Sequence, residues 1–457
     1  MRDGGRLAAA IEVLADMDAH HKPARLALKA WGEASRHAGA KDRAFVSGLV
    51  LDGLRRRRSL EWRIGQAGPR AVALAALRYD WDWPLDRIAE AAAEAPHGPG
   101  PLADEEARGL VVPHELARAE ADVRGDYPDW LEPHLTRAFG ERRAEELAAL
   151  SLRAPVDLRV NTLKTDVTRA LKALEPLGVA AAGLMNQALR APAPAASERA
   201  APVEAAPEFE KGWFEVQDLG SQIAAAAAGQ IKGRQVLDFC AGGGGKTLAL
   251  AAAMGNSGQL YAYDADARRL SDTVRRSQRA GVRNLQVKSP IRGDALAGLE
   301  GRMDLVFVDA PCTGSGTWRR HPDAKWRLRP AQLERRQAEQ DEVLAAASVY
   351  VKPGGRLVYV TCSLLMEENE DRIAAFLTEH ADFAATNALA QIVASGQATP
   401  DGLARLADRL TPEGYLRLTP ATAGTDGFFV AVLERAAASI PSPLVGEGGA
   451  HRGAMGG

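Results

Sequence analysis

VLDFCAGGGGKT, residues 236–247, reads as the end of a buried strand, a glycine turn and the opening of a helix. An apolar run that stops at consecutive glycines and resumes as a helix is the first unit of an open α/β sheet. Further strand signals follow at LYAYD (260–264), DLVFVD (304–309) and GRLVYVT (355–361), each separated by helical or loop sequence. This alternation predicts an α/β domain with a parallel, doubly wound sheet, whose ligands collect outside the carboxyl ends of the strands. YLRLTPAT (415–422) and GFFVAVLE (427–434) predict a closing antiparallel pair.

Gly245-Lys246-Thr247 mimics the end of a triphosphate-binding loop. That motif needs a glycine where Cys240 stands. Asp264 lies at the end of the next strand, 20 residues after Gly244, where an acid holds a ribose hydroxyl in nucleoside-binding α/β folds. No GxGxxG follows the first strand, which disfavours a nicotinamide cofactor. A nucleoside donor without a pyrophosphate, such as S-adenosylmethionine, fits best. An ATPase stays open, because DLVFVD passes for the second nucleotide-binding strand of such enzymes.

Two of the three cysteines stand just past strand signals: Cys312 in Asp309-Ala310-Pro311-Cys312, and Cys362 in Thr361-Cys362-Ser363. Cys240, inside the loop, reads as a small buried hydrophobe. If the fourth and fifth strands are neighbours, about 4.8 Å apart, their loops share one crevice with the cofactor. Methyltransferases acting on amines carry an acid or amide, two prolines and an aromatic where DAPC stands. A thiol replacing the aromatic points to an inert ring carbon. Carbon 5 of cytosine becomes nucleophilic once a thiolate adds to carbon 6. A free thiol has a pKa of about 8.5, so a positive field must favour the anion. Lys246, Arg319, Arg320, His321 and Lys325 are candidates for that field. A base must then remove the carbon 5 proton.

The chain has 457 residues, 46% apolar and 25% charged, with a formal charge of −2. Any nucleic-acid contact must therefore come from local patches. Three scattered cysteines make neither a disulfide framework nor a zinc site, so no metal is expected. Free thiols suit a reducing cytosol, no run approaches the ~18 apolar residues of a membrane span, and the N-terminus lacks a signal-peptide core. A cytoplasmic monomer is expected. Residues 1–125 read as helices, with Leu7, Ile11, Leu14 and Met17 at helical spacing and Val46, Val50 and Leu54 likewise. The second of these helices is expected to end in Arg55-Arg56-Arg57-Arg58, either a solvated face or a phosphate-binding cluster. Residues 126–210 form a small connecting domain with two short helices and the strand DLRVNTL (157–163). Residues 211–435 form the large α/β domain, and 436–457 a disordered tail.

LRVNTLK, WFEVQDLGSQ, VLDFCAGGGGKT, YAYDADARRL, DLVFVDAPCTGSGTWRRHPDAKW, GGRLVYVTCSLLMEENE and GFFVAVL together resemble the bacterial 16S rRNA cytosine-5 methyltransferases of the RsmB (Sun/Fmu) type, within the Nol/Nop/Sun group. The pairing of DAPC with TCS is specific; either half alone is weak. AKDRAFVSGLVLDGLRRR (40–57) resembles the NusB-like RNA-binding module often fused ahead of this enzyme. The resemblance implies a Rossmann-like class I methyltransferase fold behind an all-α NusB-like domain and a small linker domain. It implies RNA, 16S rRNA above all, as substrate. Cys362 would be the nucleophile on carbon 6 and Cys312 would assist breakdown of the adduct. Asp309 would bond the base edge near ring nitrogen 3 and border the methyl donor, with Lys325 near the catalytic pocket. Cys240, Ala241, Gly242, Gly243, Gly244, Gly245 and Lys246 would wrap the methionine part of S-adenosylmethionine, and Asp264 would hold its ribose. Two departures stand out: Gly243 replaces the family's usual proline, and VKSPIRG (287–293) lacks the adenine-contacting acid. The competing readings are a DNA enzyme with Cys312 as attacker, an ATPase, and a non-catalytic RNA-binding protein.

Overall fold

Leu7, Leu14 and Met17 on one helix (Asp3–His20) and Val46, Val50 and Leu54 on another (Ala40–Arg55) are buried in a single core. Leu74 and Leu77 of Pro69–Tyr79 complete it. Apolar stripes at 3.6-residue spacing therefore build the all-helical module of Asp3–Val111. The computed structural model describes residues 1–437 apart from 197 and 199. The expected tail, from residue 438 onward, lies outside the described residues.

The arginine run spans a helix junction instead of ending the second helix. Arg55 closes the third helix, Arg56 leaves helical geometry, and Arg57–Ile64 forms the fourth. Each guanidinium has an acidic partner: Arg55 with Asp52, Arg56 with Asp80, Arg57 with Asp18 and Glu61, and Arg58 with Asp122. Four like charges in a row are tolerated because the fold brings an acid to each. The run is a structural clasp.

Three short helices, Ala121–Gly125, Glu132–Phe139 and Arg143–Leu150, follow. Tyr127, Leu131, Leu135, Leu147 and Leu150 share a core with Trp318, Leu364 and Leu365 of the large domain. A small antiparallel sheet comes next: β1 (Val156–Val160), β2 (Ala180–Ala181), β3 (Ala188–Ala191) and β4 (Phe214–Val216), in the order β2-β3-β1-β4. The segment WFEV does not simply lead into the large domain. It pairs with β1, Leu158 opposite Val216, and completes the small sheet.

The large sheet holds β5 (Gln235–Asp238), β6 (Gln259–Tyr263), β7 (Leu285–Lys288), β8 (Met303–Asp309), β9 (Val351–Thr361), β10 (Phe383–Thr386), β11 (Leu416–Leu418) and β12 (Phe428–Arg435). Its order is β10-β12-β9-β8-β5-β6-β7, with β11 pairing β12. β5 to β9 are mutually parallel where they pair, and β12 runs antiparallel to β9. This is the doubly wound, Rossmann-like sheet expected. The chain reverses direction around β5, whose neighbours β6 and β8 continue to opposite sides, so the crevice lies at the carboxyl end of β5. β10, with only one large apolar residue in FAAT, gave no strand signal. β12 pairs with β11 as expected, but it also inserts between β9 and β10.

Charge fastens the loop after β8. Arg319 and Arg320 both pair with Asp218 and Asp426, and Asp218 caps the helix Leu219–Ala226. Arg319 and Asp426 are buried, and Trp318 beside them is 1% exposed. These side chains are committed to the fold. Removing Asp426 leaves two guanidiniums with one shared acid. Asp426→Ala is expected to cost about 3–5 kcal/mol, read as a lowered thermal midpoint; an unchanged melt would mean that other acceptors take its place.

Candidate active site

β8 and β9 are adjacent and parallel, with Asp309 beside Val360, and the Ala310 amide donates to the Val360 carbonyl at 2.8 Å. Each strand then releases a loop at the same end of the sheet. Cys312 comes three residues after Asp309 and Cys362 two after Val360, and their Sγ atoms stand 3.4 Å apart. Both are free, half-buried thiols. The hydrogen bond to Cys362, then burial, then negative charge at Cys362 and Glu368 push the Cys312 thiol well up.

Glu368 joins the two loops from beneath. Its Oε1 accepts from the Thr313 amide at 2.7 Å and from Gln340 Nε2 at 3.0 Å. Its Oε2 accepts from Thr313 Oγ1 at 2.5 Å and from the Ser363 hydroxyl. Gln340 Nε2 also donates to the Pro311 carbonyl at 2.9 Å. Asn369 ties back to Ser363 and Thr361, and the Gly316 amide donates to the Cys362 carbonyl at 2.9 Å. Glu368 is 0% exposed, so this is a buried carboxylate paid for by four donors.

Lys246 Nζ lies 2.8 Å from Asp309 Oδ2. Burial lowers the ammonium's pKa, but the charge and hydrogen bond of Asp309, with Cys362 and Asp238 behind, raise it overall. Lys246 thus supplies positive charge on the Cys362 side of the thiol pair. The glycine turn needs glycine at Gly242 (φ +51°) and Gly244 (φ +82°), where a Cβ would meet Arg269 and Thr273. Thr273 Oγ1 and Arg276 Nη1 donate to the carbonyls of Gly242 and Gly243, and Gln217 Nε2 to that of Gly245. Asp264 Oδ2 accepts from the Gly242 amide at 2.8 Å and pairs with Arg269 at 3.2 Å; Oδ1 accepts from the Asp266 amide. Asp238 Oδ2 takes the Thr247 hydroxyl at 2.6 Å, while its buried Oδ1 has no partner among the described residues. Burial pushes the Cys240 thiol well up, with Asp238, Asp309 and Asp264 adding to it.

Cys312, Cys362, Asp309, Lys246 and the glycine turn therefore gather at one end of the sheet. Lys325 has different partners. It is buried in Pro322–Arg327 and donates to the Arg55 carbonyl at 2.6 Å and to Ser151 Oγ at 3.3 Å, with the charge of Asp126 acting on it. Lys246, by contrast, is in electrostatic reach of Cys362. Residue-by-residue reading overlooked Glu368, Gln340 and Gln217. Glu368 falls six residues after Cys362 inside MEENE, and an acid at that distance from TCS was its signal. Asp294, the first acid after VKSPIRG, lies in electrostatic range of Tyr263 and Tyr350. Among the described residues, no group of histidines, cysteines or acids is arranged to hold a metal, and no helix is long and apolar enough to cross a membrane.

Residues 228–434 match the sequence model of the 16S rRNA methyltransferase RsmB/F family, and residues 127–196 that of the RsmF/B-like ferredoxin-like domain. A probable ribosomal RNA small subunit methyltransferase B of Synechocystis is 30% identical over 431 residues, 86% of this chain and 92% of that protein. Ribosomal RNA small subunit methyltransferase B of Erwinia tasmaniensis is 32% identical over 422 residues, 88% of this chain and 92% of that protein. The chain belongs to the ribosomal RNA small subunit methyltransferase B family. A methyltransferase homologue from Pyrococcus horikoshii superposes with a TM-score of 0.53 at 28% identity, covering 69% of this chain and 97% of that one. NSun6 from the same organism, solved with SFG, shares the fold at a TM-score of 0.56 and 21% identity, over 67% of this chain and 98% of its own. Both share the overall fold of this member of the methyltransferase B family.

Burial, eased by the Thr247 hydroxyl and then worsened by Asp309, pushes the Asp238 carboxyl up from 3.8 to about 7. The folded protein therefore holds this proton over a range where the unfolded chain has lost it. Asp238 subtracts from stability progressively as pH rises from about 4 to about 7, with no further loss above. Asp238→Asn is expected to raise the thermal midpoint relative to the parent protein by an increment that grows between pH 5 and 7 and then levels off. An increment independent of pH would contradict the assignment.

Proposed function

We propose that this protein methylates carbon 5 of a cytosine in small-subunit rRNA, using S-adenosylmethionine and a covalent bond from Cys362. The observation that carries the reading is the pair of thiols 3.4 Å apart, with the Lys246–Asp309 ion pair at the same crevice. Family membership supports rRNA as the substrate class, and the related NSun6 was solved with SFG, an S-adenosylmethionine analogue.

The residues fit such a donor. Asp238 Oδ1, buried at the root of the glycine turn with no hydrogen-bond partner among the described residues, is an acceptor that a methionine amino group would satisfy. Asp264 Oδ1 takes one donor and keeps acceptor capacity for a ribose hydroxyl. Residues Cys240–Lys246 would follow the methionine part. When bound, S-adenosylmethionine supplies an electrophilic methyl group.

The chain's own groups do the rest. The Cys362 sulfur, as the thiolate and with the Lys246 ammonium in electrostatic reach, adds to carbon 6 of the cytosine. The new S–C bond displaces the carbon 5–carbon 6 π pair onto carbon 5, which becomes the nucleophile toward the methyl group. Asp309 holds the base edge beside ring nitrogen 3. Once carbon 5 carries the methyl group, Cys312 gives its own proton to solvent water and, as the thiolate, takes the proton of carbon 5. The C–H pair re-forms the ring double bond, and the Cys362 sulfur departs with the pair of the S–C bond. Covalent attack and proton removal need two groups on one pyrimidine, and two adjoining thiols supply them.

RNA carrying 5-fluorocytosine tests this, because fluorine cannot leave as a proton and the adduct persists. Cys362→Ala is expected to form no covalent complex on a denaturing gel, whereas Cys312→Ala still forms one. Trapping by Cys362→Ala but not by Cys312→Ala would reverse the roles.

A further inference from the structure

The two thiols are chemically alike, share one crevice and touch, yet the proposed reaction needs one to attack and the other to keep its proton until later. What separates them is the charge that acts on each. Lys246, paired with Asp309 at 2.8 Å, is in electrostatic reach of Cys362 and of Asp238. Glu368 touches both loops but is tied more closely to that of Cys312: it accepts from the amide and hydroxyl of Thr313, the residue after Cys312, and from Gln340, which also holds the Pro311 carbonyl, against the single hydroxyl of Ser363 after Cys362. From the proposed division of labour and this charge asymmetry, we infer that Glu368 is the positioning residue that makes Cys312 the proton-holding thiol and leaves Cys362 to attack.

The hydrogen bonds support a charged Glu368. The Leu365 amide donates to Ser363 Oγ at 3.1 Å, and the Leu364 amide donates to Ser315 Oγ, which lies 3.1 Å from Ser363 Oγ. Ser363 Oγ is thus used as an acceptor and has its own proton to give to Glu368. The Thr313 amide and Gln340 Nε2 can only donate. Four donors converge on one carboxylate and favour its anion, although burial pushes its pKa up. A negative charge held under the Cys312 loop opposes a second negative charge on Cys312 sulfur. That thiol then donates its proton toward Cys362, 3.4 Å away. The remaining charged and titratable neighbours are Tyr359, whose hydroxyl donates to the Glu368 carbonyl, and Arg372, paired with Asp341.

Glu368→Gln separates charge from shape. The amide oxygen can keep the bonds from the Thr313 amide and Gln340, and its NH₂ can face two hydroxyls, which rotate to accept. The loops stay tied, and only the charge is lost. Glu368→Asp keeps the charge but withdraws it by one methylene.

The readout is the relative rate of iodoacetamide alkylation at the two cysteines in the full-length protein, measured by peptide mass spectrometry. It needs neither RNA nor activity, and a merely structural tie would not move it. Thiolate is the reacting species, so the parent is expected to label Cys362 about tenfold or more faster than Cys312. Glu368→Gln is expected to bring that ratio toward one, with Glu368→Asp intermediate. A parent-like ratio in whichever of these variants folds overturns the inference. If Cys362→Ala also still traps fluorinated RNA, the reaction scheme itself has failed. If Cys362→Ala does not trap while Glu368→Gln keeps the parent ratio, only the role of Glu368 has failed.

Discussion

Everything at this crevice depends on β8 and β9 lying side by side in the same direction. Parallel neighbours deliver their carboxyl ends to one edge, and the Asp309–Val360 register delivers them level. A shift of one residue would turn a side chain to the other face. The sequence between strand and cysteine then needs only a short turn: Ala310-Pro311 on one side and Thr361 on the other. Sheet pairing, which is indifferent to chemistry, thus fixes a sulfur–sulfur contact to hydrogen-bonding distance. Glu368 and Gln340 then prevent the two loops from separating.

A second theme is buried charge used as a fastener. Arg319 and Arg320 with Asp218 and Asp426 pin the loop that leaves Cys312, and Glu215 with Arg276 and Arg279 holds the small sheet against the helix below the glycine turn. Such pairs add little net stability over apolar packing, but they are costly to break singly. They favour one relative placement of the elements over others, which a site assembled from several segments requires. Lys325, donating to the helical module's Arg55 carbonyl, extends the same device to the seam between that module and the catalytic sheet.

Much of this was legible in the sequence because strand ends and glycine turns are local signals. VLDFCAGGGGKT, DAPC and TCS each announce a position at the carboxyl edge of a strand, and alternation with helices supplies the parallel sheet. What was not legible depends on pairing across distance. Four arginines in a row look the same whether they face solvent or four acids recruited from Asp18, Asp52, Asp80 and Asp122. WFEV has no mark that assigns it to the small sheet, and FAAT is too polar to stand out as β10. Glu368 reads as one more surface acid in MEENE until the fold buries it beneath both thiols. Lys246 and Lys325 could not be ranked by spacing, because their distance from the cysteines is set by the turn after β5 and by the helix docked on Arg55.

The central claim is that methyl transfer occurs at a ring carbon that must first be activated by sulfur. Carbon 5 starts with one hydrogen and ends with none. The most direct measurement uses rRNA transcribed with tritium on carbon 5 of cytosine, following tritium released to water alongside methyl groups gained by the RNA. One tritium is expected to be released for each methyl group transferred. Methyl transfer with the tritium retained would contradict it, since the methyl group would then have gone to nitrogen or oxygen and the two thiols would have no part in the chemistry.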